Sequence, residues 1–314
     1  MLVCRVCGNN ENNHFFEVKE MLRGTRAVFQ YMECGACKCV QIITPPEDMA
    51  DYYDNNLYGS FSNTSKSLIT ETVRRIRNGY AIRKTGGLIG MILSRIKPLP
   101  RDFTIVGEYA TATSRILDVG CGVGSYVSDL REIGFKSAAG IDPYISEDML
   151  HTNGTVIRKL YIEEVDDSYD VILSHHSLEH VLKPLETLIA IKRALIPNGI
   201  CILTVPVAEN LYRKYKSDCY LIQAPQHFYL FSIESINILA TMAGFAIESV
   251  IREADTNFEW YVSSELWSQD IASNEGKGAG IHSLSNSKRL ELENDFQKLK
   301  DNEQGDNVIF ILRS

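Results

Sequence analysis

Ile116-Leu117-Asp118-Val119-Gly120-Cys121-Gly122-Val123-Gly124 decides the fold of this 314-residue chain. Ile116–Val119 reads as a buried strand, the glycines as a tight turn, and Tyr126–Ile133 as the amphipathic helix that follows. Glycine lets the backbone turn sharply and approach a ligand closely at the end of such a strand. The spacing is G-x-G-x-G, not the G-x-G-x-x-G that seats a pyrophosphate at a helix N-terminus.

Asp118 stands just before the first glycine, where a carboxylate suits a cationic ligand better than a diphosphate. S-adenosylmethionine, with a sulfonium, an ammonium and no phosphate, fits that description. The next strand, Ala138–Ile141, ends in Asp142-Pro143. An acid at this place can accept both ribose hydroxyls.

Downstream, strand and helix patterns alternate. Tyr169–Leu173, Ile200–Val205, Ala246–Ile251 and Val308–Leu312 read as strands. Leu185–Leu195, closed by Pro197-Asn198-Gly199, and Ile233–Met242, ending near Gly244, read as helices. This alternation predicts an α/β fold with a mainly parallel sheet. Residues 254–306 break the rhythm as an insertion, with glycine-rich Gly276–Gly280 and a charged helix over Ser287–Leu299. Upstream, residues 1–45 form a small module with strands at Ala27–Tyr31 and Val40–Ile43, closed by Pro45-Pro46. Residues 46–110 are a helical linker on the substrate side, with a helix over Ser67–Lys84, and residues 111–314 form the main domain.

Five of the eight cysteines lie within this first module. Cys4-x2-Cys7 and Cys34-x2-Cys37 present four thiolates as two knuckles, the donor set of a structural tetrahedral zinc. Gly8 and Gly35 sit where knuckle turns need freedom, and Cys39 is a spare that could replace Cys37. Net charge is −8, which argues against a phosphate-gripping surface; Arg74, Arg75 and Arg77 are the compact basic cluster before the core. Leu88–Leu93 is apolar but falls short of the ~18 residues a membrane span needs. With no charged start followed by an apolar run, the expected location is cytoplasmic.

The motifs Leu117–Gly124, Gly140-Ile141-Asp142-Pro143, Tyr169-Asp170-Val171-Ile172, Ser177-Leu178-Glu179-His180-Val181 and Leu195-Ile196-Pro197-Asn198-Gly199-Ile200 together resemble class I S-adenosylmethionine-dependent methyltransferases. The resemblance implies a Rossmann-like, doubly wound, seven-stranded sheet with a zinc-ribbon-like N-terminal module. It implies cofactor contacts from Asp118, Gly120, Cys121, Gly122 and Gly124, from Asp142 and Pro143, from Tyr161 near the adenine, and from Ser174 and His175 beside the methyl group. The N-terminal half is similar to a narrower group, the sugar-modifying methyltransferases with a cysteine-rich zinc module. Its matching residues are the four cysteines, Tyr52-Tyr53, Tyr58-Gly59-Ser60 and His227 in Gln226-His227-Phe228. In that group a His at this place acts as the base, and the acceptor is a sugar.

Methyl transfer to a hydroxyl or a carbon acid needs a base of near-neutral pKa, for which His is the usual choice. The candidates are His227, His175 and His180, with Tyr58, Tyr212 and Tyr215 lining an acceptor pocket. His176-Ser177-Leu178-Glu179-His180 also spells H-x-x-E-H, which on a helix would set two imidazoles on one face as in a zinc peptidase. The leading expectation is methyl transfer to a small-molecule, sugar-containing acceptor. An RNA methyltransferase whose zinc module grips nucleic acid and a non-catalytic scaffold are the alternatives.

Overall fold

The structure is a computed structural model that describes residues 2–49, 52, 68–83, 86–97, 99, 101–253, 258–273 and 281–314. Tyr53, Tyr58 and Ser60, and Gly276–Gly280, lie outside the described residues.

The N-terminal strands are β1 (His14–Lys19), β2 (Val28–Glu33) and β3 (Val40–Ile42), followed by helices α1 (Leu68–Arg83), α2 (Gly87–Ile96) and α3 (Arg101–Tyr109). The glycine motif joins β4 (Ile116–Val119) to α4 (Ser125–Glu132), and β5 (Ala138–Ile141), β6 (Met149–Leu150) and β7 (Val156–Arg158) follow. Then come β8 (Tyr169–His175), α5 (Pro184–Arg193), β9 (Leu195–Pro206), α6 (Asn210–Tyr215), β10 (Tyr229–Leu230), α7 (Ile233–Met242) and β11 (Ala246–Glu253). The insertion holds α8 (Phe258–Ser268) and α9 (Asn286–Asp301), and β12 (Asn307–Arg313) closes the sheet.

Among the described residues the main sheet has eight strands in the order β11-β12-β9-β8-β4-β5-β7-β6. The extra strand is the two-residue β6, too short to leave a periodic signal in the sequence. Pairings of β4 with β5 and β8, of β5 with β7 and of β8 with β9 are parallel. Strand β12 inserts antiparallel between β9 and β11. From β4 the chain runs to β5 on one side, and β8 lies on the other. The glycine turn therefore sits at a topological switch point, where a crevice opens at the carboxyl edge.

The central strands alternate between two cores. Val171, Leu173, Ile200, Ile202, Ile309 and Ile311 face one layer with α3 and α4 residues, while Ile172, Cys201, Leu203, Val308, Phe310 and Leu312 face the other with α5 and α7 residues. Both faces are covered, which is why these strands read as continuous apolar runs. Pro197-Asn198-Gly199 does not close a helix as expected; it lies inside β9. The register against β8 shifts there, and Asn198 takes a left-handed φ of 62°.

The cysteine module shares a core with the main domain. Cys34, Val40 and Ile42 pack in the same cluster as Leu188, Leu203 and Phe231. Strand β10, from the main domain, completes a four-stranded sheet β1-β2-β3-β10. No helix among the described residues is long and apolar enough to cross a membrane.

Candidate functional site

Three glycines of the turn have positive φ: 76° at Gly120, 54° at Gly122 and 76° at Gly124. At Gly120 a Cβ would stand 2.5 Å from that of Ser177, so the turn excludes side chains sterically as well as conformationally. Ser177 is tied beneath it: its hydroxyl donates to the Val119 carbonyl (3.0 Å) and shares a 2.7 Å hydrogen bond with Ser174. Asp142, nearly buried at the tip of β5, accepts from Gly122 N (2.9 Å) and Tyr144 N (2.8 Å). These bonds hold the carboxylate against the loop, with lone pairs left over for a ligand.

A cavity of 680 Å³ opens at this edge, within the usual range for a small-molecule site. Gly120, Gly122, Asp142, Pro143, Tyr161, His175, His180 and His227 all line it. Asp118 is buried behind the turn, and Ser174 behind Ser177, and neither lines the cavity. Cys121 also turns away: its sulfur sits where a Cβ on Gly140 would meet it at 2.4 Å. Gly124 caps α4 and faces Ile157. Tyr212 and Tyr215, expected in the acceptor pocket, stand outside this cavity. Their hydroxyls donate to Glu33 (2.7 Å) and Glu265 (2.9 Å).

The far wall belongs to histidines. Leu178–His180 forms a single 3-10 turn after β8, not the helix an H-x-x-E-H zinc site requires, and His176 ahead of it is left-handed at φ 47°. His175 Nδ1 lies 3.0 Å from Thr204 Oγ1, and burial pulls this imidazole down to about 3. His227 Nδ1 lies 2.7 Å from the Leu221 carbonyl and His180 Nδ1 lies 3.0 Å from the Gln226 carbonyl. A carbonyl only accepts, so each Nδ1 carries the proton and each ring's lone pair is on Nε2. The two rings meet edge to face at 4.7 Å. Burial, with His180 beside it, pulls His227 to about 3, below the near-neutral value expected of a free-standing base.

Glu179, fully buried, stands beside this pair. Burial alone would raise its pKa, but His176, whose Nδ1 lies 3.3 Å from Oε1, outweighs that and holds it at about 2. Trp260, from α8, closes the cavity's rim, its ring 6.3 Å from that of His176. Sequence reasoning passed over Glu179 as a partner and over Ser177 and Trp260. Glu179 and Ser177 were visible as part of the SLEH motif, whereas Trp260 comes from an insertion with no motif.

The module reaches this wall through hydrogen bonds. Tyr31, fully buried, donates its hydroxyl to the His227 carbonyl (2.9 Å). Ile42 N donates to Phe228 O (2.9 Å), and Phe228 N to Glu179 O (2.8 Å). Within the module, Cys4 Sγ lies 3.7 Å from Cys37 Sγ, and Cys7 Sγ lies 3.5 Å from Cys34 Sγ. A disulfide would need about 2.05 Å. Four sulfurs bound tetrahedrally at about 2.3 Å would stand about 3.8 Å apart, so this set could hold such an ion with little movement. The left-handed knuckle residues are Gly8 (φ 76°) and Lys38 (φ 60°). Gly35 is needed for closeness instead, since a Cβ there would stand 2.4 Å from the Asn12 carbonyl. Cys39 stays outside the cluster; burial pushes its thiol well up, and its Sγ donates to Val40 O.

A doubly wound sheet with a glycine cradle at its switch point and an acid ending the next strand defines a nucleoside-cofactor-binding α/β protein. Residues 93–250, half of the chain, match the family described as a methyltransferase domain. The chain belongs to that family and is a methyltransferase by its domain. Similar solved structures include an S-adenosylmethionine-dependent methyltransferase from Mesorhizobium loti (16% identity over 68% of this chain and 98% of that one, TM-score 0.44). Another is from Archaeoglobus fulgidus (16%, 75% and 97%, TM-score 0.40). A third, from Thermotoga maritima, is described as a possible histamine N-methyltransferase (18%, 77% and 91%, TM-score 0.41). No curated protein matches the chain.

Proposed function

We propose that the chain methylates a small-molecule acceptor that carries a sugar, nucleotide-linked or within a glycan precursor, and that deprotonation of the acceptor depends on His227. The observation that supports this reading is a continuous cavity that runs from Asp142 to the His180–His227 pair and Trp260. It leaves room for a second small molecule beside the cofactor, and an aromatic rim suits the apolar face of a sugar ring. The sugar class itself rests on the likeness of the cysteine pairs and of Gln226-His227-Phe228 to sugar-modifying enzymes.

The bare glycine cradle and the anchored Asp142 carboxylate fit S-adenosylmethionine. When bound, it supplies an electrophilic methyl group on a sulfonium. Asp142 would accept its ribose hydroxyls, the backbone at Gly120 and Gly122 would cradle its amino-acid end, and Tyr161 would flank its adenine. Asp118, Cys121, Gly124 and Ser174 shape this bed from behind, with Pro143 and His175 on its surface. Among the acceptor-side groups, His227 offers its Nε2 lone pair to the acceptor proton. Glu179 lies where it can balance an imidazolium, and His180 packs against the same ring.

Cys4, Cys7, Cys34 and Cys37 are proposed to hold a structural zinc, and residues 1–45, 46–110 and 111–314 to act as module, linker and catalytic domain. Within the basic cluster before the core, Arg74 pairs with Asp129 and, at 2.8 Å, with Glu132, which leaves less charge for an RNA backbone. The test is an acceptor screen on nucleotide sugars, followed by His227→Gln on the best acceptor. General acid–base catalysis contributes about 10²–10⁴-fold, so turnover should fall by that order with cofactor affinity kept. Undiminished turnover in His227→Gln would remove it from the chemistry.

A further inference from the structure

The H-x-x-E-H motif forms no peptidase helix, yet its last two residues acquire a partner from elsewhere in the chain. One ligand atom from each of Glu179, His180 and His227 lies within 4.8 Å of the other two. Tetrahedral donors about 2.1 Å from one ion stand about 3.4 Å apart, so side-chain movements of no more than about 1 Å close the set. Glu179 has 0% exposure, and neither of its carboxylate oxygens accepts a hydrogen bond among the described residues. Its one ion-pair partner among the described residues is His176, whose Nδ1 lies 3.3 Å from Oε1 and which carries charge only when protonated. A fully buried carboxylate so poorly satisfied is costly unless something positive meets it.

Both imidazoles are oriented as ligands. Each directs Nδ1–H to a backbone carbonyl, of Gln226 for His180 and of Leu221 for His227, which fixes the ring and puts the lone pair on Nε2. Metal-bound histidines are held by such carbonyl partners. We propose that Glu179, His180 and His227 bind a divalent transition-metal ion in the cavity wall, separate from the cysteine cluster and on the acceptor side of the cofactor bed. Two imidazoles and one carboxylate suit zinc, cobalt or iron(II) better than magnesium or calcium. Three protein ligands leave positions open toward the cavity, as catalytic sites do and structural ones do not.

The role of the ion rests on the proposed function; its binding does not. Facing the cavity, the ion would take an acceptor oxygen as a ligand and lower that group's pKa, so that its proton leaves to water. His227 would then act by holding the ion instead of taking the proton itself.

The experiment titrates CoCl2 into the full-length, zinc-loaded protein by calorimetry and visible absorption, alongside Glu179→Gln, His227→Asn and the exposed control His14→Gln. We expect one cobalt ion per chain beyond the zinc, with d–d bands and no thiolate-to-cobalt charge transfer. Affinity should fall at least 100-fold in each site variant and stay unchanged in His14→Gln. S-adenosylhomocysteine binding and the melting curve of each variant report whether it is folded. Loss of cobalt in a folded Glu179→Gln or His227→Asn supports the site. No cobalt bound by the wild-type protein, or equal binding in both site variants, overturns it. A protein that binds no cobalt yet loses turnover in His227→Gln keeps His227 as a simple base. One that binds cobalt but not S-adenosylhomocysteine keeps the metal and loses the cofactor reading.

Discussion

At Gly120 two demands coincide: a φ of 76° and 2.5 Å between a would-be Cβ and that of Ser177. Gly120→Ala should therefore lower stability by about 1–3 kcal/mol and weaken S-adenosylhomocysteine binding. Denaturant unfolding and calorimetry check both; an unaltered variant would mean the turn is not under that constraint. At His175 the question is pH. Its ring nitrogen Nε2 is enclosed and without a hydrogen bond among the described residues, and its folded pKa of about 3 lies below the ordinary value of about 6.5. Between these values the unfolded chain binds a proton that the folded site refuses. Stability is therefore lost as pH falls from about 6.5 toward about 3, with a slope of at most about 1.4 kcal/mol per pH unit from this group. In His175→Gln, urea midpoints at pH 7.5, 6 and 5 should show a flatter acid limb; an identical limb would contradict the account. Such residues were partly legible. Gly120 and Asp142 signal through neighbours in sequence. His227 was legible as a candidate, but its anchor at Leu221 and its approach to within 4.8 Å of Glu179 arise from a loop and a turn that only the tertiary fold brings together.

Among elements, β4, β5 and α7 were readable to the residue, because strands buried on both faces and a capped helix leave unambiguous patterns. The cross-connection of β3 to β10 was not. It is a two-residue ladder between segments far apart in the chain, and no local periodicity encodes it. That ladder makes the cysteine module a buttress for the histidine wall. Stripping the cysteine cluster with a chelator should therefore raise hydrogen exchange at Val40, Ile42 and Phe228 together, and lower turnover even with cofactor saturating. Faster exchange confined to residues before Val40 would show that the module and the wall are uncoupled.

For the molecule as a whole, the insertion is the part the sequence leaves without a role. Its helix α8 is anchored by Tyr261, which donates its hydroxyl to Asp306 (3.0 Å), and it carries Trp260 to the cavity and Trp267 to a separate cluster with Met21. Only a three-dimensional view puts an insertion over a site. The two tryptophans give a direct reading. Ligand binding should change the emission of a protein retaining Trp260, with Trp267→Phe, and leave one retaining Trp267, with Trp260→Phe, unaffected. Trp260→Ala should raise KM for the acceptor more than it alters cofactor affinity.

The central claim is that the glycine cradle and Asp142 bind the cofactor, and calorimetric titration with S-adenosylmethionine and S-adenosylhomocysteine tests it most directly, comparing the wild-type protein with Asp142→Ala. Asp142 would accept hydrogen bonds as a charged group, each worth about 1.5–3 kcal/mol, so the account predicts saturable one-to-one binding that weakens at least 10-fold in a folded Asp142→Ala protein. No binding to the wild-type protein, or equal binding to both, would contradict it.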